Sequence, residues 1–570
     1  MSDTNNNDTL SDNKEKLEAI RRKFFKKLAA NAHSGDITSK FQLYQSDRKG
    51  EDTGLEAVLI EKYFQNCVEY LSSVKNINGI ETPVNKLHIK SLNLIDFRKF
   101  SNLKMTFDEQ LTVYIGSNGA GKTSIAYSIA KTLSWLSAGL EKEGKHGKPL
   151  TKYDPNINCD HRAEVHSKIS LGKSIIRDTS LFRYVKGVSD GVETSYLEEL
   201  RELSDLYRVI NDSQKKLKKE EINLPLFAFY SVERSHLKSN KSFNIEKLSN
   251  IDSNSRFDAY EGALDGAGNF GDFLEWFLIL NNLANPAKSK ELKELEEQIA
   301  SFEKNVNTDD PVLKKMLDDK KKEHKSIIEL SDNSQFFEKQ LAIVKKAIVD
   351  ITPSVSDIFV DRSSGRAELK VNNDKVPINI YQASQGQQIL VALAADLSRR
   401  LVMLNPDSET PLSGQGIVVI DEIELHLHPQ WQQTIIQSLL DTFPNIQFII
   451  TTHSPQVLST VDKSQIRKFD ISEHGEDVIT TPKFQTKGVN SLDILSQIMN
   501  TSAIPNVVEA DWVNDFSSLL MDKKKTEANK VLELILEHFG KDHPVVNDCL
   551  NQIKIAEMKE RLTVSKGSKG

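Results

Sequence analysis

The spacing of hydrophobic residues changes near residue 86 and separates predicted helices from predicted strands. Between residues 14 and 28, apolar side chains recur every three or four positions among lysines and arginines, which predicts a basic amphipathic helix. Its apolar stripe consists of Leu17, Ile20, Phe24 and Leu28. We expect this stripe to dock on the protein, with a nucleic-acid or partner contact as the alternative. Residues 55–74 predict a second helix, and from Lys86 the spacing of two predicts a sheet.

Short apolar segments follow, with helical stretches between several of them. They lie at residues 111–115, 226–230, 367–371, 416–420 and 446–450. The later segments are β-branched and apolar on both faces, as expected for buried parallel strands in an α/β layer. The chain is therefore predicted to be an α/β protein.

Two highly charged segments interrupt this pattern, at residues 196–221 and 286–332. The second carries a heptad-like series, namely Leu292, Leu295, Ile299 and Phe302. An Asp-Asp-Pro sequence at 309–311 predicts a break, and thus a short helical hairpin. We therefore divide the chain into an N-terminal extension, an N-lobe, a hairpin insertion, a C-lobe and a C-terminal helical region. Their boundaries are 1–85, 86–285, 286–350, 351–500 and 501–570.

Composition excludes several classes of protein. The 570 residues contain 74 Lys plus Arg and 81 Asp plus Glu, a formal net charge of -7, so the chain is not a globally basic nucleic-acid coat. Residues 1–12 are polar and are expected to be disordered. The three cysteines, Cys67, Cys159 and Cys549, are too widely spaced for a disulfide framework or a zinc finger. With no apolar segment long enough for export or a membrane span, we expect a cytoplasmic protein without membrane contact.

The strongest chemical signal is GSNGAGKT at residues 116–123, between a predicted strand and a predicted helix. This is a complete phosphate-binding loop in the required context, with Lys122 for the terminal phosphates and Thr123 for Mg²⁺. The predicted nucleotide-binding residues are Gly116, Ser117, Asn118, Gly119, Ala120, Gly121, Lys122, Thr123 and Ser124.

Two later strands end in polar residues that suit nucleotide hydrolysis. The segment GIVVIDE ends in Asp421, the predicted Mg²⁺ residue, and Glu422, the predicted general base for the attacking water. The segment IQFIITTHSP carries His453, which we place near the γ-phosphate. Glu422, His453 and Lys122 are the predicted catalytic residues.

A second anion site is predicted at YQASQGQQ, where a loop precedes the helix ILVALAADLSRRL. Ser384, Gly386 and Gln387 lie at this junction, where a helix N-terminus attracts negative charge. The first pocket does not need this site.

The order GSNGAGKT, SQGQ, IVVIDE and TTHS resembles the ABC-type ATPase head in its SMC-like, non-transporter branch. The resemblance implies that two heads close around ATP and Mg²⁺, with the signature residues Ser384, Gly386 and Gln387 acting across the dimer. It assigns His453 as the switch histidine. The signature reads ASQGQ rather than LSGGQ, and the Gln of the Q-loop is not identified between residues 125 and 225.

A closer resemblance extends over roughly residues 86–500. Its segments include LPLFAFYSVERS, IDEIELHLHPQWQQ and FPNIQFIITTHSPQVLS. They are similar to PtuA-type ATPases of Septu and retron-associated antiviral systems. The resemblance implies an ATPase that forms a homodimer or higher homo-oligomer and controls a partner HNH nuclease, PtuB. In the retron form it also implies a reverse transcriptase with its RNA–DNA hybrid.

Other functions remain as alternatives. A self-contained nuclease like the overcoming-lysogenization family would need a D-x-D metal motif, and none follows His453. An SMC-like DNA-repair ATPase would need longer coiled coils than those predicted. The pair His426 and His428 could suggest metal, but no third ligand follows at suitable spacing. Tyr230, Glu233 and Arg234 follow a predicted strand and could contact nucleotide or a partner, but a surface salt bridge is expected at least as strongly.

Overall fold

The computed structural model describes residues 4–188, 193–235, 256–268, 270–285, 290–305, 311–331, 334–363, 367–502 and 505–567. The chain forms two compact units, Met1–Val489 and Asn490–Gly570. The second unit thus begins before residue 501, the predicted start of the C-terminal region.

Helices and strands alternate through the first unit, as the sequence predicts for the α/β class. Its helices are α1 (Thr4–His33), α2 (Ile37–Arg48), α3 (Ala57–Ser72), α4 (Lys122–Glu141), α5 (Glu198–Lys216), α6 (Phe270–Ala284), α7 (Lys290–Asn305), α8 (Pro311–Ser331), α9 (Ser334–Ile351), α10 (Gln385–Leu404), α11 (Pro429–Gln432), α12 (Ile435–Thr442) and α13 (Pro455–Leu458). Its strands are β1 (Val74–Ile77), β2 (Ile80–Pro83), β3 (Leu87–Phe97), β4 (Phe100–Thr106), β5 (Leu111–Ile115), β6 (Arg162–Leu171), β7 (Ile175–Tyr184), β8 (Leu226–Tyr230), β9 (Val355–Asp361), β10 (Glu368–Asn373), β11 (Val376–Asn379), β12 (Gly416–Ile420), β13 (Ile446–Thr451), β14 (Ile466–Ile471) and β15 (Asp477–Thr480).

The N-terminal helices share a small core. Its buried residues are Phe25, Leu28, Ala32, Leu43, Ile60 and Tyr63. Of the predicted stripe on α1, only Leu28 is buried, whereas Leu17, Ile20 and Phe24 are 68%, 70% and 52% exposed. The prediction that the whole stripe docks is therefore wrong, because the core that α1 shares with α2 and α3 takes in only its C-terminal part. Over residues 4–12 the structure also differs from the expected disorder, since α1 begins at Thr4 and an existing helix gains one hydrogen bond per added residue.

A six-stranded sheet forms the centre of the first unit, in the order β15-β14-β5-β13-β12-β8. Strands β14, β5, β13, β12 and β8 are parallel, and β15 pairs antiparallel with β14. Strands β5, β8, β12 and β13 are buried at every position, which accounts for their continuously apolar sequences. Since parallel strands end at the same edge, the segments after β5, β8, β12 and β13 come together there.

Three antiparallel sheets accompany the central sheet. Their orders are β4-β3-β6-β7, β11-β10-β9 and β1-β2. The predicted strand at 367–371 corresponds to β10, which lies in the three-stranded antiparallel sheet. It is therefore not one of the buried parallel strands, in keeping with its alternating burial.

The predicted helical hairpin corresponds to α7 and α8. An ion pair between Lys321 and Glu303 at 2.6 Å and a hydrogen bond between His324 Nε2 and Glu296 Oε1 at 3.2 Å join the two helices. Leu295 is buried in this hairpin. Of the predicted break at 309–311, Pro311 begins α8, whereas residues 309 and 310 and the side chain of Leu292 lie outside the described residues.

The second unit is a small helical bundle. It contains α14 (Ser491–Gln497), α15 (Val508–Met521), α16 (Lys525–Phe539) and α17 (Pro544–Gly567). Its core consists of Phe516, Ala528, Leu532, Ile535, Val546 and Cys549. Throughout the described part of the chain, no helix is long and apolar enough to cross a membrane.

Candidate nucleotide site

The phosphate-binding loop connects β5 to α4 and depends on glycine at two positions. Gly119 and Gly121 have φ values of 78° and 96°, a region that side-chain-bearing residues rarely adopt. A Cβ atom on Gly121 would also lie 2.2 Å from the ring of Phe100. Lys122 follows as the first residue of α4 and is 5% exposed. The loop therefore keeps open backbone N–H groups next to a helix N-terminus.

Thr123 and Asp421 meet although they lie 298 positions apart. The Thr123 hydroxyl donates to Asp421 Oδ2 at 2.8 Å, and the Thr451 hydroxyl donates to Asp421 Oδ1 at 2.5 Å. Asp421 is fully buried at the end of β12. The structure thus brings together the two side chains that the sequence assigns to Mg²⁺, and their oxygens are the ligands that this ion prefers.

Lys122 completes the charge arrangement of the site. Its Nζ donates to the carbonyl oxygens of Gly116 and Ser117 at 3.0 and 3.1 Å. Burial lowers the pKa of Lys122, although three neighbouring carboxylates act in the opposite direction. They belong to Glu422, Asp421 and Glu424. The ammonium group is therefore close to the acids and has no carboxylate hydrogen-bonded to it within the described residues.

Glu422 occupies a constrained position directly after Asp421. Its φ of 48° lies in the left-handed region, and its N–H donates to the Thr451 hydroxyl at 2.8 Å. In the described part of the chain, no hydrogen bond or ion pair involves the Glu422 carboxylate. Its position beside Lys122, with a free carboxylate, suits the role of a general base.

His453 follows β13 and is held by its backbone. Its N–H donates to Glu424 Oε1 at 2.5 Å, and the Thr452 hydroxyl donates to Glu424 Oε2 at 2.7 Å. Burial lowers the pKa of His453, and the positive charge of Lys122 lowers it further. The ring is therefore kept neutral near the lysine. Glu424, which the sequence analysis gave no role, is the residue that orients this segment.

The sequence analysis also underestimated Arg234. The residue is 4% exposed, so it is not part of a surface salt bridge. It donates to the carbonyl oxygen of Asp421 and, at 2.6 Å, to that of Glu422. Burial lowers the pKa of Arg234 to about 10. No pattern in the sequence VERS indicates this role. The contact between Arg234 and the two carbonyl oxygens forms only because the fold brings the segment after β8 next to the end of β12.

The predicted signature lies at the start of α10. Ser384 Oγ accepts from the N–H of Gln387 at 3.3 Å, and the Gln387 side chain bonds to Asn373 at 2.9 Å. A Cβ on Gly386 would lie 2.7 Å from the His426 carbonyl oxygen, so this glycine allows a close approach. Gln385 is exposed as the first helical residue, which is why no glycine is needed there. None of these bonding partners belongs to the phosphate-binding loop.

The histidines of the HLHP segment have separate surroundings. His426 and His428 are both exposed, and His428 Nδ1 accepts from the N–H of Gln430 at 3.3 Å. Among the described residues, no group of three His, Cys, Asp or Glu side chains suits a metal ion. The HLHP segment follows Glu424 in the chain, and the backbone of His426 packs against Gly386.

Comparison with known proteins identifies the family. A protein-family model described as "AAA domain, putative AbiEii toxin, Type IV TA system" matches residues 111–459. The "Retron Vc95 probable ATPase" of Vibrio cholerae is 31% identical over 490 residues, 85% of this chain and 91% of that protein. The "Retron Ec83 probable ATPase" of Escherichia coli is 29% identical over 557 residues, 94% of this chain and 96% of that protein.

More distant matches cover less of the sequence or of the structure. A "Septu protein PtuA" of Bacillus mycoides is 32% identical over 153 residues, 27% of this chain and 21% of that protein. The solved Smc head domain of Pyrococcus furiosus, bound to the C-terminal domain of ScpA, is 17% identical with a TM-score of 0.34 and covers 69% of this chain and 96% of that chain. The resemblance found in the sequence is confirmed, and the chain belongs to the AAA-domain family that includes the retron-associated ATPases.

Proposed function

We propose that this chain binds and hydrolyses ATP with Mg²⁺, and that the site built around Lys122 and Asp421 performs the reaction. The observation that carries the proposal is the 2.8 Å hydrogen bond between Thr123 and Asp421. It joins the start of α4 to the end of β12, where a nucleotide-bound Mg²⁺ requires oxygen ligands. Membership of an ATPase family supports the same conclusion.

The residues of the site have distinct roles in this proposal. The backbone N–H groups of the loop and Lys122 hold the phosphates, while Thr123 and Asp421 would hold Mg²⁺. When bound, Mg²⁺ neutralises charge on the phosphate oxygens. Glu422 accepts a proton from the attacking water, because its carboxylate is free and lies near the phosphate-binding lysine. His453 stays neutral and serves as a hydrogen-bonding group for the terminal phosphate.

A second copy of the chain completes the site. Ser384, Gly386 and Gln387 form a capped helix N-terminus that is suited to an anion. The hydrogen bonds of these side chains go to partners in α10 and β10. The N-terminus of α10 is therefore available for a nucleotide held by another copy. We therefore propose that ATP closes a homodimer, from which higher homo-oligomers are built.

The wider role follows from the named relatives. Two are retron ATPases, and a shorter match is to a Septu protein. We propose that this chain is a cytoplasmic component of an antiviral system and controls a separate HNH nuclease, PtuB. A reverse transcriptase and its RNA–DNA hybrid are the further proposed partners.

The hydrolysis test compares three variants with the wild type. Lys122→Ala is expected to weaken ATP binding, because it removes the lysine that the loop itself directs at the terminal phosphates. Glu422→Gln is expected to retain ATP binding but lose about 100-fold to 10,000-fold in turnover. Glu473→Gln, at an exposed position in the turn after β14, is the matched control and should hydrolyse ATP at the wild-type rate. Equal rates for wild type and Glu422→Gln would remove Glu422 as the base.

The partner test uses co-expression with the genomic neighbours. We expect nucleic-acid cleavage only when the HNH protein co-purifies, and we expect Lys122→Ala and Glu422→Gln to change it. Cleavage by the purified chain alone would instead support a self-contained nuclease. ATP hydrolysis without any nuclease partner, together with DNA-repair defects in the deletion strain, would support the repair alternative.

A further inference from the structure

A cleft lies over one face of the four-stranded sheet β4-β3-β6-β7. Its volume is about 710 Å³, which is within the range of small-molecule sites. The sheet forms the floor, while Arg467 of β14 and Ile479 of β15 line one side. In the described part of the chain, none of the lining residues belongs to the phosphate-binding loop or to the segments that follow β8, β12 and β13. We call this separate feature the β3 cleft.

Strand pairing places polar side chains next to one another on the floor of the β3 cleft. Asn93 on β3 lies opposite Lys104 on β4 and opposite His166 on β6. Ser91, two positions before Asn93, lies opposite Lys168 on β6. Side chains two positions apart share one face of a sheet, and directly opposite residues have Cβ atoms about 4.5 to 5.5 Å apart. These five side chains therefore form one polar patch.

Several groups around this patch already have partners within the protein. Lys168 forms an ion pair with Asp178 at 3.4 Å. Arg467, at the side of the cleft, forms an ion pair with Asp108 at 2.9 Å. His166 has hydrogen bonds at both ring nitrogens, at 2.7 and 2.6 Å. The charges of Lys168 and Arg467 are therefore compensated by the protein itself.

The centre of the patch differs, because three of its groups have unused bonding capacity. Asn93 Oδ1 is buried and has no hydrogen-bond partner. Among the residues that the structure describes, neither the Lys104 ammonium nor the Ser91 hydroxyl takes part in a hydrogen bond or ion pair. A buried polar atom without a partner costs free energy, and such atoms are uncommon in folded proteins. A cation, an amide and a hydroxyl thus converge here, as they do in sites for polar ligands.

We propose that the β3 cleft binds a nucleoside monophosphate at a site separate from the proposed ATP site. The Lys104 ammonium and the Ser91 hydroxyl donate to the phosphate, since charge-assisted hydrogen bonds to phosphate are the strong ones. A sugar hydroxyl donates to Asn93 Oδ1 and supplies the partner that this buried oxygen lacks. The base lies in the remaining volume, on the side that contains Ile479. This inference goes beyond the proposed ATPase and does not rest on it.

A nucleic-acid strand fits the β3 cleft less well than a single nucleotide. A strand carries a negative charge on every nucleotide, and its binding is dominated by several lysines and arginines. Of the lysines and arginines that line the cleft in the described structure, only Lys104 has no acidic partner. Asp178 also lines the cleft and would repel further phosphates. One uncompensated cation matches one phosphate group.

The first test titrates the Lys122→Ala protein with AMP by calorimetry. AMP lacks the terminal phosphates that Lys122 holds in the proposed function, so the β3 cleft is measured with little contribution from the ATP site. Addition of Lys104→Ala should raise the dissociation constant of AMP about 10-fold to 100-fold, the effect of one hydrogen bond to a charged group. The matched control is Lys173→Ala, at an exposed lysine in the turn between β6 and β7, and it should leave the constant unchanged.

A second variant tests the contact with the sugar. Asn93→Ala should raise the dissociation constant of AMP about fivefold to tenfold, the effect of one neutral hydrogen bond. The affinity for inorganic phosphate should stay the same, because inorganic phosphate has no sugar that could bond to Asn93. Equal losses for AMP and inorganic phosphate would show that the variant damages the cleft as a whole and would contradict the assigned contact.

Three outcomes would overturn the inference. The first is AMP binding that Lys104→Ala does not weaken, since AMP would then bind elsewhere. The second is a dissociation constant of AMP above about 1 mM, which is too weak for a specific site. The third is Lys104-dependent binding of a short single-stranded oligonucleotide that AMP does not displace, which would assign the cleft to nucleic acid. Hydrolysis by Glu422→Gln tests the ATP site independently, so failure of one proposal leaves the other standing.

Discussion

Two buried charge clusters lie at the same edge of the central sheet and differ in how their charges are satisfied. On α10, Asp396 accepts from Tyr230 at 2.8 Å, from Arg400 at 2.8 Å and from Arg399 at 3.0 Å. Burial raises the pKa of Asp396, but the two arginines outweigh it and lower the pKa to about 2. In the nucleotide site, Lys122 bonds only to backbone carbonyls in the described structure.

We interpret the difference as one between charges that hold the fold and charges that, in the proposed function, bind a ligand. In the α10 cluster every ionised side chain faces an opposite charge within the protein. In the nucleotide site, the Lys122 ammonium and the Glu422 carboxylate retain bonding capacity although they lie close together. Burying such groups costs free energy unless a ligand compensates. An incompletely satisfied cluster therefore indicates function more strongly than burial does.

The largest effect on stability is expected from Asp396→Asn. This change leaves two buried guanidinium groups without their carboxylate, and such losses cost about 3 to 5 kcal/mol in the free energy of unfolding. Chemical denaturation measures it. Tyr230→Phe removes one hydrogen bond to the ionised carboxylate but leaves both arginines paired with it, and it should cost less, about 1.5 to 3 kcal/mol. Equal costs for the two variants would contradict a structural role for the ion pairs.

The matching change in the nucleotide site is Asp421→Asn. It keeps the shape of the side chain and its acceptor for Thr123 but removes the charge proposed for Mg²⁺. We expect turnover to fall about 100-fold, in line with losses from other charge-stabilising groups, with little change in the free energy of unfolding. Steady-state hydrolysis and denaturation of the same preparation test this. A stability loss as large as that of Asp396→Asn would erase the contrast between the clusters.

Arg234→Lys tests a residue that is buried and fully bonded within the protein, like those of the α10 cluster, but lies in the nucleotide site. The guanidinium bonds to the backbone carbonyls of Asp421 and Glu422, and an ammonium group cannot reproduce this two-armed geometry. We expect turnover to fall about tenfold while the affinity for ATP changes little, because Arg234 positions Glu422 and does not touch the phosphates. Titration with a fluorescent ATP analogue and single-turnover hydrolysis separate the two quantities. A loss confined to ATP affinity would refute the positioning role.

The smallest effect concerns His453 and acidic pH. Because its pKa is lowered in the folded protein, the unfolded chain binds a proton at this ring more readily. Stability should therefore be complete above the ordinary histidine value of about 6.5 and decline as the pH falls below it. His453→Gln should reduce this decline. Denaturation at pH 7.5 and 5.5 measures the free energy of unfolding of the variant and of the wild type. If this free energy falls by the same amount in both proteins, the His453 ring does not contribute to the decline.

The sequence predicted those parts of the candidate site whose conformation is determined by a short local motif. In residues 116–123, glycines, lysine and threonine follow one another between a strand and a helix, so local order determines the loop. Asp421 and Glu422 were predicted because an apolar strand precedes them. Arg234 could not be assigned, since nothing in its local sequence indicates which backbone carbonyls it reaches.

Burial and strand pairing were predictable to a lesser degree. The spacing on α1 correctly indicated a helix, but the pattern could not determine how much of the stripe its neighbours cover. The strand at 367–371 was predicted, but its assignment to the antiparallel sheet depends on pairing with β9 and β11. The hydrophobic period and the composition are properties of a segment itself. How much of the segment is buried, and which strands it pairs with, depend on its neighbours in the fold.

By itself, the sequence determined the α/β class, the glycine-rich loop between β5 and α4 and the order of the residues proposed for catalysis. Only the tertiary structure decided that Thr123 meets Asp421, that Glu424 holds the His453 segment and that Arg98 reaches the buried Asp154. The physical reason is that backbone preferences and hydrophobic periods act over a few residues. Hydrogen bonds between residues far apart in the chain exist only after packing has fixed the strands and helices that carry them.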